Sequence, residues 1–294
     1  MEKVSQDFPR NVKTLAGFST VWKTFFHSVE KSAFSPNPES RILPPPVRMG
    51  ILNLTPDSFS DGGRFLDPGA AEERALKLAA DGAQILDLGA ESTRPGHEPV
   101  SEEEELRRLL PVLDRLAGKL KIPISVDTSK AAVARAAFDH GAAILNDVAA
   151  LSRPGMAEFA RSGDFPVILM HGVAHALAED DARPSETVAA WLAARIAELG
   201  IAKDRIVVDP GIGFGTTRPQ DAAILENLAP LVALGFPVLV GLSRKRIVRH
   251  LHPDADRDLA SAQMALAAWK NGAAILRLHE LGPFNDLVRQ EITP

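Results

Sequence analysis

The chain has 294 residues, is 45% hydrophobic and carries a formal charge of −5. That length allows one large domain plus an extension, and the mild acidity gives no reason to expect nucleic acid or an anionic membrane as partner. Cysteine is missing altogether, which removes disulfide frameworks and thiol chemistry and suits a reducing cytoplasm. No apolar run approaches the length of a membrane span.

Residues 1–46 stand apart as an N-terminal extension. They hold Trp22, Phe25, Phe26 and Phe34, then the proline-rich link Pro36-Asn37-Pro38 and Pro44-Pro45-Pro46. Their acidic-poor start fits an organelle targeting segment, but packing under the following domain, or plain flexibility, is the preferred reading.

Beyond the link, short apolar runs recur and each stops on a polar residue. In chain order they are 50–52 before Asn53, 85–86 before Asp87, 124–126 before Asp127, and 143–145 before Asn146 and Asp147. Four more complete the set: 167–170 before His171, 206–208 before Asp209, 238–242 before Ser243, and 274–276 before Arg277 and His279. Continuous aliphatic runs suit parallel strands that helices cover on both faces. Eight near-regular units favour closure into an α/β (β/α)8 TIM barrel over a doubly wound open sheet. Such a barrel builds its active site at the strand C-termini. The polar residues that end the runs therefore locate the chemistry.

The intervening segments read as helices. Ser101 and Glu104 make a capping-box pattern ahead of Leu106, Leu109, Leu110 and Leu113. Pro111 inside that stretch predicts a kink or a break. Ser185 is the expected cap of a helix carrying Val188, Trp191, Leu192 and Ile196 and ending at Gly200. Gly82, Gly141, Gly235 and Gly272 hold the same place ahead of other runs, as left-handed helix stops do.

Two loops are richer in polar groups than connections need. Asn53-Leu54-Thr55-Pro56-Asp57-Ser58-Phe59-Ser60-Asp61-Gly62-Gly63 is also unusually long. Asp87-Leu88-Gly89-Ala90-Glu91-Ser92-Thr93-Arg94-Pro95-Gly96 sets the guanidinium fork of Arg94, suited to phosphate or carboxylate, beside two hydroxyls.

With Met49-Gly50-Ile51-Leu52 before it, the first loop resembles the first signature of the dihydropteroate synthase family, and the second loop resembles the second. The resemblance continues through Ser125-Val126-Asp127-Thr128, Asn146-Asp147, Leu169-Met170-His171 and Asp209-Pro210-Gly211-Ile212-Gly213-Phe214-Gly215. It ends with Ser243-Arg244-Lys245 and Arg277-Leu278-His279, spanning about residues 47–290. It implies a TIM barrel over residues 47–294, a pterin-binding transferase of folate biosynthesis. The implied reaction condenses 6-hydroxymethyl-7,8-dihydropterin pyrophosphate with para-aminobenzoate, giving 7,8-dihydropteroate and pyrophosphate.

Residue roles follow from the same resemblance. Asp127, Asn146, Asp209 and Lys245 would read the pterin edge, with Met170 packed nearby and Arg277 stacked on the ring. Asn53, Arg277 and His279 would meet the diphosphate, Asn53 together with a Mg2+ ion. Thr93, Arg94, Pro95, Phe214 and Ser243 would surround para-aminobenzoate. Lys245, Arg277, His279 and Asp57 form the implied catalytic set. The resemblance further implies a cytoplasmic homodimer, sensitive to sulfonamides, whose other partners are its two small substrates.

Three positions depart from the family's pattern. Thr216 stands where lysine is usual, Arg246 where serine is usual, and Glu280 where aspartate is usual. Thr216 matters most, because it removes a cation beside the implied aminobenzoate site; Arg218 is a candidate substitute. Two other readings stay open on sequence: a pterin-binding paralogue without catalysis, and a methyltetrahydrofolate-binding methyltransferase, which shares the barrel but not the first two loops.

Overall fold

The computed structural model describes residues 46–55, 67–92 and 98–292. Eight parallel strands form one sheet: β1 (Val47–Asn53), β2 (Ile85–Gly89), β3 (Ile124–Asp127), β4 (Ile144–Asp147), β5 (Val167–Met170), β6 (Ile206–Asp209), β7 (Leu239–Val240) and β8 (Ile275–Leu278). They lie in the order β6-β5-β4-β3-β2-β1-β8-β7. A parallel bridge between Val208 and Val238 joins the two ends and closes the barrel. The TIM barrel expected from the apolar runs is the fold.

Helices fill the connections: α1 (Pro68–Ala80), α2 (Glu102–Leu116), α3 (Ala131–Asp139), α4 (Met156–Ser162) and α5 (Pro184–Leu199). After β6 come α6 (Arg218–Glu226) and α7 (Ala229–Val232), then α8 (Arg246–Leu251) and α9 (Arg257–Lys270) between β7 and β8, and finally α10 (Gly282–Ile292). Among the described residues no helix is long and apolar enough to cross a membrane.

The helix stops behave as expected: Gly82, Gly141, Gly200, Gly235 and Gly272 all take positive φ. Other local readings change. Ser101 does cap α2, accepting from the Glu104 N–H, but the Glu104 carboxylate turns to Arg107 and Arg108 instead of closing the box. Pro111 does not split α2, which runs unbroken through it. Five buried side chains, Leu109, Val112, Leu113, Leu116 and Glu105, hold that helix on the barrel despite the lost backbone donor. Ser185 is not a cap. It is buried in the first turn of α5, which begins with Pro184 at a position that needs no N–H. The seventh run, read over residues 238–242, pairs as a strand only at Leu239–Val240.

Side chains two apart on a strand share a face, and that period divides the barrel interior into two layers. Met49, Ile85, Ile144, Ile168, Val207, Leu239 and Ile275 pack against one another in an apolar cluster of their own, the floor. Full burial of such a side chain contributes about 1.5–3 kcal/mol. Two residues further along each strand stand Ile51, Asp87, Asn146, Met170, Asp209, Gly241 and Arg277. The pleat thus sets a largely polar layer directly on the apolar one.

Candidate active site

That polar layer is tied together at its centre by Arg277. Its Nε donates to Asp87 Oδ2 at 2.6 Å and its Nη2 donates to Asp127 Oδ2 at 2.9 Å. Asn146 Nδ2 also donates to the Asp87 carboxylate, at 3.2 and 3.4 Å. Asp87 is fully buried, and Asp127, Asn146 and Asp209 are nearly so. Gly241 lies alongside the arginine, and a Cβ there would meet Arg277 Cβ and Cδ in ordinary contact at 3.6 Å. The sequence places Asp87 at a strand end but gives it no role. Its signal was present: it stands two residues after floor residue Ile85, as Asp209 does after Val207.

Lys245 enters from the far side. Its Nζ donates to the Ile212 carbonyl at 2.6 Å and lies 4.6 Å from the centroid of the Phe214 ring. The chain between Asp209 and Phe214 can take that path because Gly211 and Gly213 have positive φ. At Gly211 a side chain is also sterically barred, as its Cβ would fall 1.8 Å from the His171 carbonyl oxygen. Met170 faces inward beside this turn. His171, one residue on, faces outward against Trp191, and burial pushes its imidazole pKa down to about 4.

Toward solvent, Asn53 Nδ2 lies 3.3 Å from His279 Nε2, and His279 Nδ1 lies 3.0 Å from Ser243 Oγ. With the amide as donor, Nε2 is the acceptor and the histidine proton sits on Nδ1, directed to the serine. Ser243 therefore serves His279 in this arrangement, rather than standing alone beside Phe214.

The charges explain what such a layer can do. Burial pushes Asp127 up to about 7, opposed by Arg277 and reinforced by Asp87. Burial likewise raises Asp209, against the pull of Lys245. Burial pushes Lys245 down to about 8, opposed chiefly by Asp209. Burial also works against the Arg277 charge, but Asp87 and Asp127 outweigh it and hold the guanidinium above its usual range. Three carboxylates against two cations leave the deep layer formally acidic, so it suits a ligand's donor edge, not an anion. Asp127 Oδ1 and Ser125 Oγ are buried there without hydrogen-bond partners. Buried unpaired acceptors of this kind are costly unless a ligand or water satisfies them.

Two other observations bear on the implied residues. Thr216 does not leave an open place: its hydroxyl donates to Asp221 Oδ1 at 2.6 Å, and the Gly213 N–H donates to the same oxygen at 2.8 Å. Asp57, Thr93, Arg94 and Pro95 lie outside the described residues, as do residues 1–45 of the extension.

The strand ends of this parallel barrel converge on buried carboxylates, an amide and two cations, a set of donors and acceptors suited to a polar ligand. Comparison with known proteins gives the class: residues 49–279 match the family model described as pterin binding enzyme. The dihydropteroate synthase of Bacillus subtilis (strain 168) is 41% identical over 238 residues, covering 79% of this chain and 83% of that protein. A solved structure of Xanthomonas albilineans dihydropteroate synthase with 4-aminobenzoic acid superposes with a TM-score of 0.79 at 42% identity, covering 86% of this chain and 95% of that one. The same enzyme in complex with 7,8-dihydropteroate gives a TM-score of 0.75 at 40% identity, covering 86% and 96%. The chain belongs to the dihydropteroate synthase family.

Proposed function

We propose that this chain catalyses the family reaction, joining para-aminobenzoate to the methylene of 6-hydroxymethyl-7,8-dihydropterin pyrophosphate and releasing pyrophosphate. The observation that carries the reading is the buried, unpartnered Asp127 Oδ1 beside the Arg277–Asp87–Asn146 cluster. A pterin edge brings adjacent N–H donors that Asp127 and Asp209 accept, while Asn146 and Lys245 supply donors to its acceptor atoms. Asp87 receives no substrate group; it holds Arg277 and Asn146 in place. Met170 and the Arg277 face enclose the ring.

The diphosphate belongs higher, at Asn53 and His279, because the deep layer already holds an excess of carboxylate. A Mg2+ ion bound there would screen the phosphate charges, and the Asn53 amide oxygen is the hard ligand this chain offers it. Magnesium is usually held by one or two carboxylates plus substrate phosphates; here the neutral Asn53 amide oxygen would stand in the carboxylate's place, its Nδ2 being turned to His279. As the methylene–oxygen bond breaks, its electrons pass to the departing pyrophosphate, and donors already aimed at that oxygen lower the barrier. The aromatic amine nitrogen then bonds to the methylene and sheds one proton. No strong base is needed, since an aniline is neutral at pH 7. Phe214 and Ser243 line the side from which the amine arrives, with Thr93, Arg94 and Pro95 assigned there by the family pattern.

Pyrophosphate release, followed with and without para-aminobenzoate, tests this. The expected result is turnover that requires both substrates. Calorimetric binding of the pterin substrate without any turnover would instead mark a non-catalytic pterin binder.

A further inference from the structure

Arg244 is an odd residue for its place. It has φ +59°, one of three non-glycine residues with positive φ among those described. The Lys245 N–H donates to the Leu242 carbonyl at 3.0 Å, so Ser243 and Arg244 are the centre of a tight turn. A turn with positive φ at its third residue normally carries glycine or asparagine there. An arginine with its Cβ in that conformation is strained, and persists only where surroundings over-determine it.

The surroundings do so through one helix end. Four polar atoms of Arg244, its N, O, Nε and Nη2, bond to the first turns of α9. Its N–H donates to Ser261 Oγ at 3.1 Å, and its carbonyl accepts from Arg257 Nη2 at 2.9 Å. Its guanidinium makes a two-pronged pair with Asp258, Nε to Oδ1 at 2.8 Å and Nη2 to Oδ2 at 2.9 Å. Asp258 is fixed in turn, since the Asp256 side chain caps the helix by accepting from its N–H. Glu280 approaches Arg244 Nη2 at 3.5 Å and also pairs with Arg74, which donates to the His279 carbonyl.

We infer that Arg244 is a positioning residue: its clamp on α9 holds the left-handed turn that aims Ser243 at His279 and Lys245 at the pterin layer. The geometry leaves little else for the guanidinium to do. Its Nε–Nη2 edge is taken by Asp258 on α9, whereas Ser243 bonds His279 and Lys245 reaches the Ile212 carbonyl. The inference rests on the proposed function for what Lys245 and His279 do, but not for the clamp itself.

The test compares Arg244→Ala, Arg244→Gly and Asp258→Asn in the full chain. Alanine loses the clamp and keeps the strain, so the turn relaxes. Glycine loses the clamp and the strain together. Arg244→Gly should therefore outperform Arg244→Ala in kcat by roughly fivefold, the scale of the left-handed penalty for a residue with a Cβ. Asp258→Asn should lower kcat by at least about threefold, with the melting temperature nearly unchanged because the pair is half-exposed. Calorimetric affinity for a bare pterin should change less than kcat in all three, since Asp127 and Asn146 are aimed independently. A readout separate from turnover is the NMR titration of the Lys245 ammonium. Its midpoint should move up from about 8 toward the ordinary lysine value in Arg244→Ala, and stay nearer the wild-type value in Arg244→Gly. If glycine is no better than alanine and the lysine midpoint is the same in both, the clamp is not what aims the turn. Loss of pyrophosphate binding in every variant, with an unmoved midpoint, would make Arg244 an anion ligand and overturn the proposal. An inactive wild-type enzyme would count against the function alone, because the titration still reads the clamp.

Discussion

Two sides of the barrel mouth aim their side chains by different means. Along β2, β3 and β4 the ladder is continuous, pairing Gly89 with Asp127 and Asp127 with Asn146. There the pleat itself points Asp87, Asp127 and Asn146 at the axis. Around β7 the strand is only two residues long, and Ser243 and Lys245 stand beyond it in a strained turn. A ladder fixes direction through neighbouring backbone, whereas a turn must borrow partners from distant elements, here α9 and His279 just beyond β8. The first arrangement gives a rigid recognition wall. The second places the residues nearest the reacting groups on the part of the barrel that depends most on side-chain bonds.

The largest expected effect lies on the rigid wall. Asp127→Ala removes the acceptor of the ligand's donor edge and should weaken pterin binding by about 3 kcal/mol, on the order of a hundredfold. Arg277 keeps Asp87, so the fold should survive. Calorimetry with a bare pterin decides it, and affinity within threefold of wild type would remove Asp127 from the site.

A pH experiment probes both sides at once. Pterin recognition requires Asp127 ionised and Lys245 protonated, so kcat/KM for the pterin substrate should rise through about pH 7 and fall beyond about pH 8. Because these groups share charges, each limb belongs to the cluster and not to one residue. Stability runs the other way on the acid side. The folded state holds the Asp127 proton where the unfolded chain has lost it, so stability of the free enzyme should fall as pH climbs from about 4 to about 7. Lys245, lowered in the folded state, costs stability below about 8 and returns it as pH climbs toward 10.5. Melting temperatures of wild type and Asp127→Asn should converge toward pH 5 and separate toward pH 7. Parallel curves would mean that burial does not perturb this carboxyl.

The smallest effect concerns Thr216. A lysine there restores the family's charge beside Phe214, but Asp221, already bonded to Thr216 and Gly213, would take up much of it. Thr216→Lys should lower the KM for para-aminobenzoate by roughly threefold, the ~0.7 kcal/mol of a screened pair, and leave the pterin KM alone. A shift in the pterin constant instead would mean that the β6–α6 loop couples to the deep wall.

The barrel and the strand-end location of the site are legible because each apolar run and its polar stop are local, while the roles of Asp127 and Asp209 come from the family resemblance. Asp209, Asn146 and Asp87 each stand two residues after an aliphatic floor position, but the role of Asp87 is not legible locally because its partners, Arg277 and Asn146, lie 190 and 59 residues away. Pro111 misled for a related reason: its cost is local, while the burial that outweighs it comes from packing against the barrel.

Sequence by itself thus determined the alternation of runs and helices, the apolar floor and the chemical identity of the groups standing on it. Tertiary structure alone decided which charges meet. It joined Arg277 to Asp87 and Asp127, set His279 between Asn53 and Ser243, and tied Arg244 to α9. The physical reason is range. Backbone pleat and helix stops act over a few residues and leave a readable period, whereas hydrogen bonds between strand ends depend on closure of the whole ring, which no local pattern encodes.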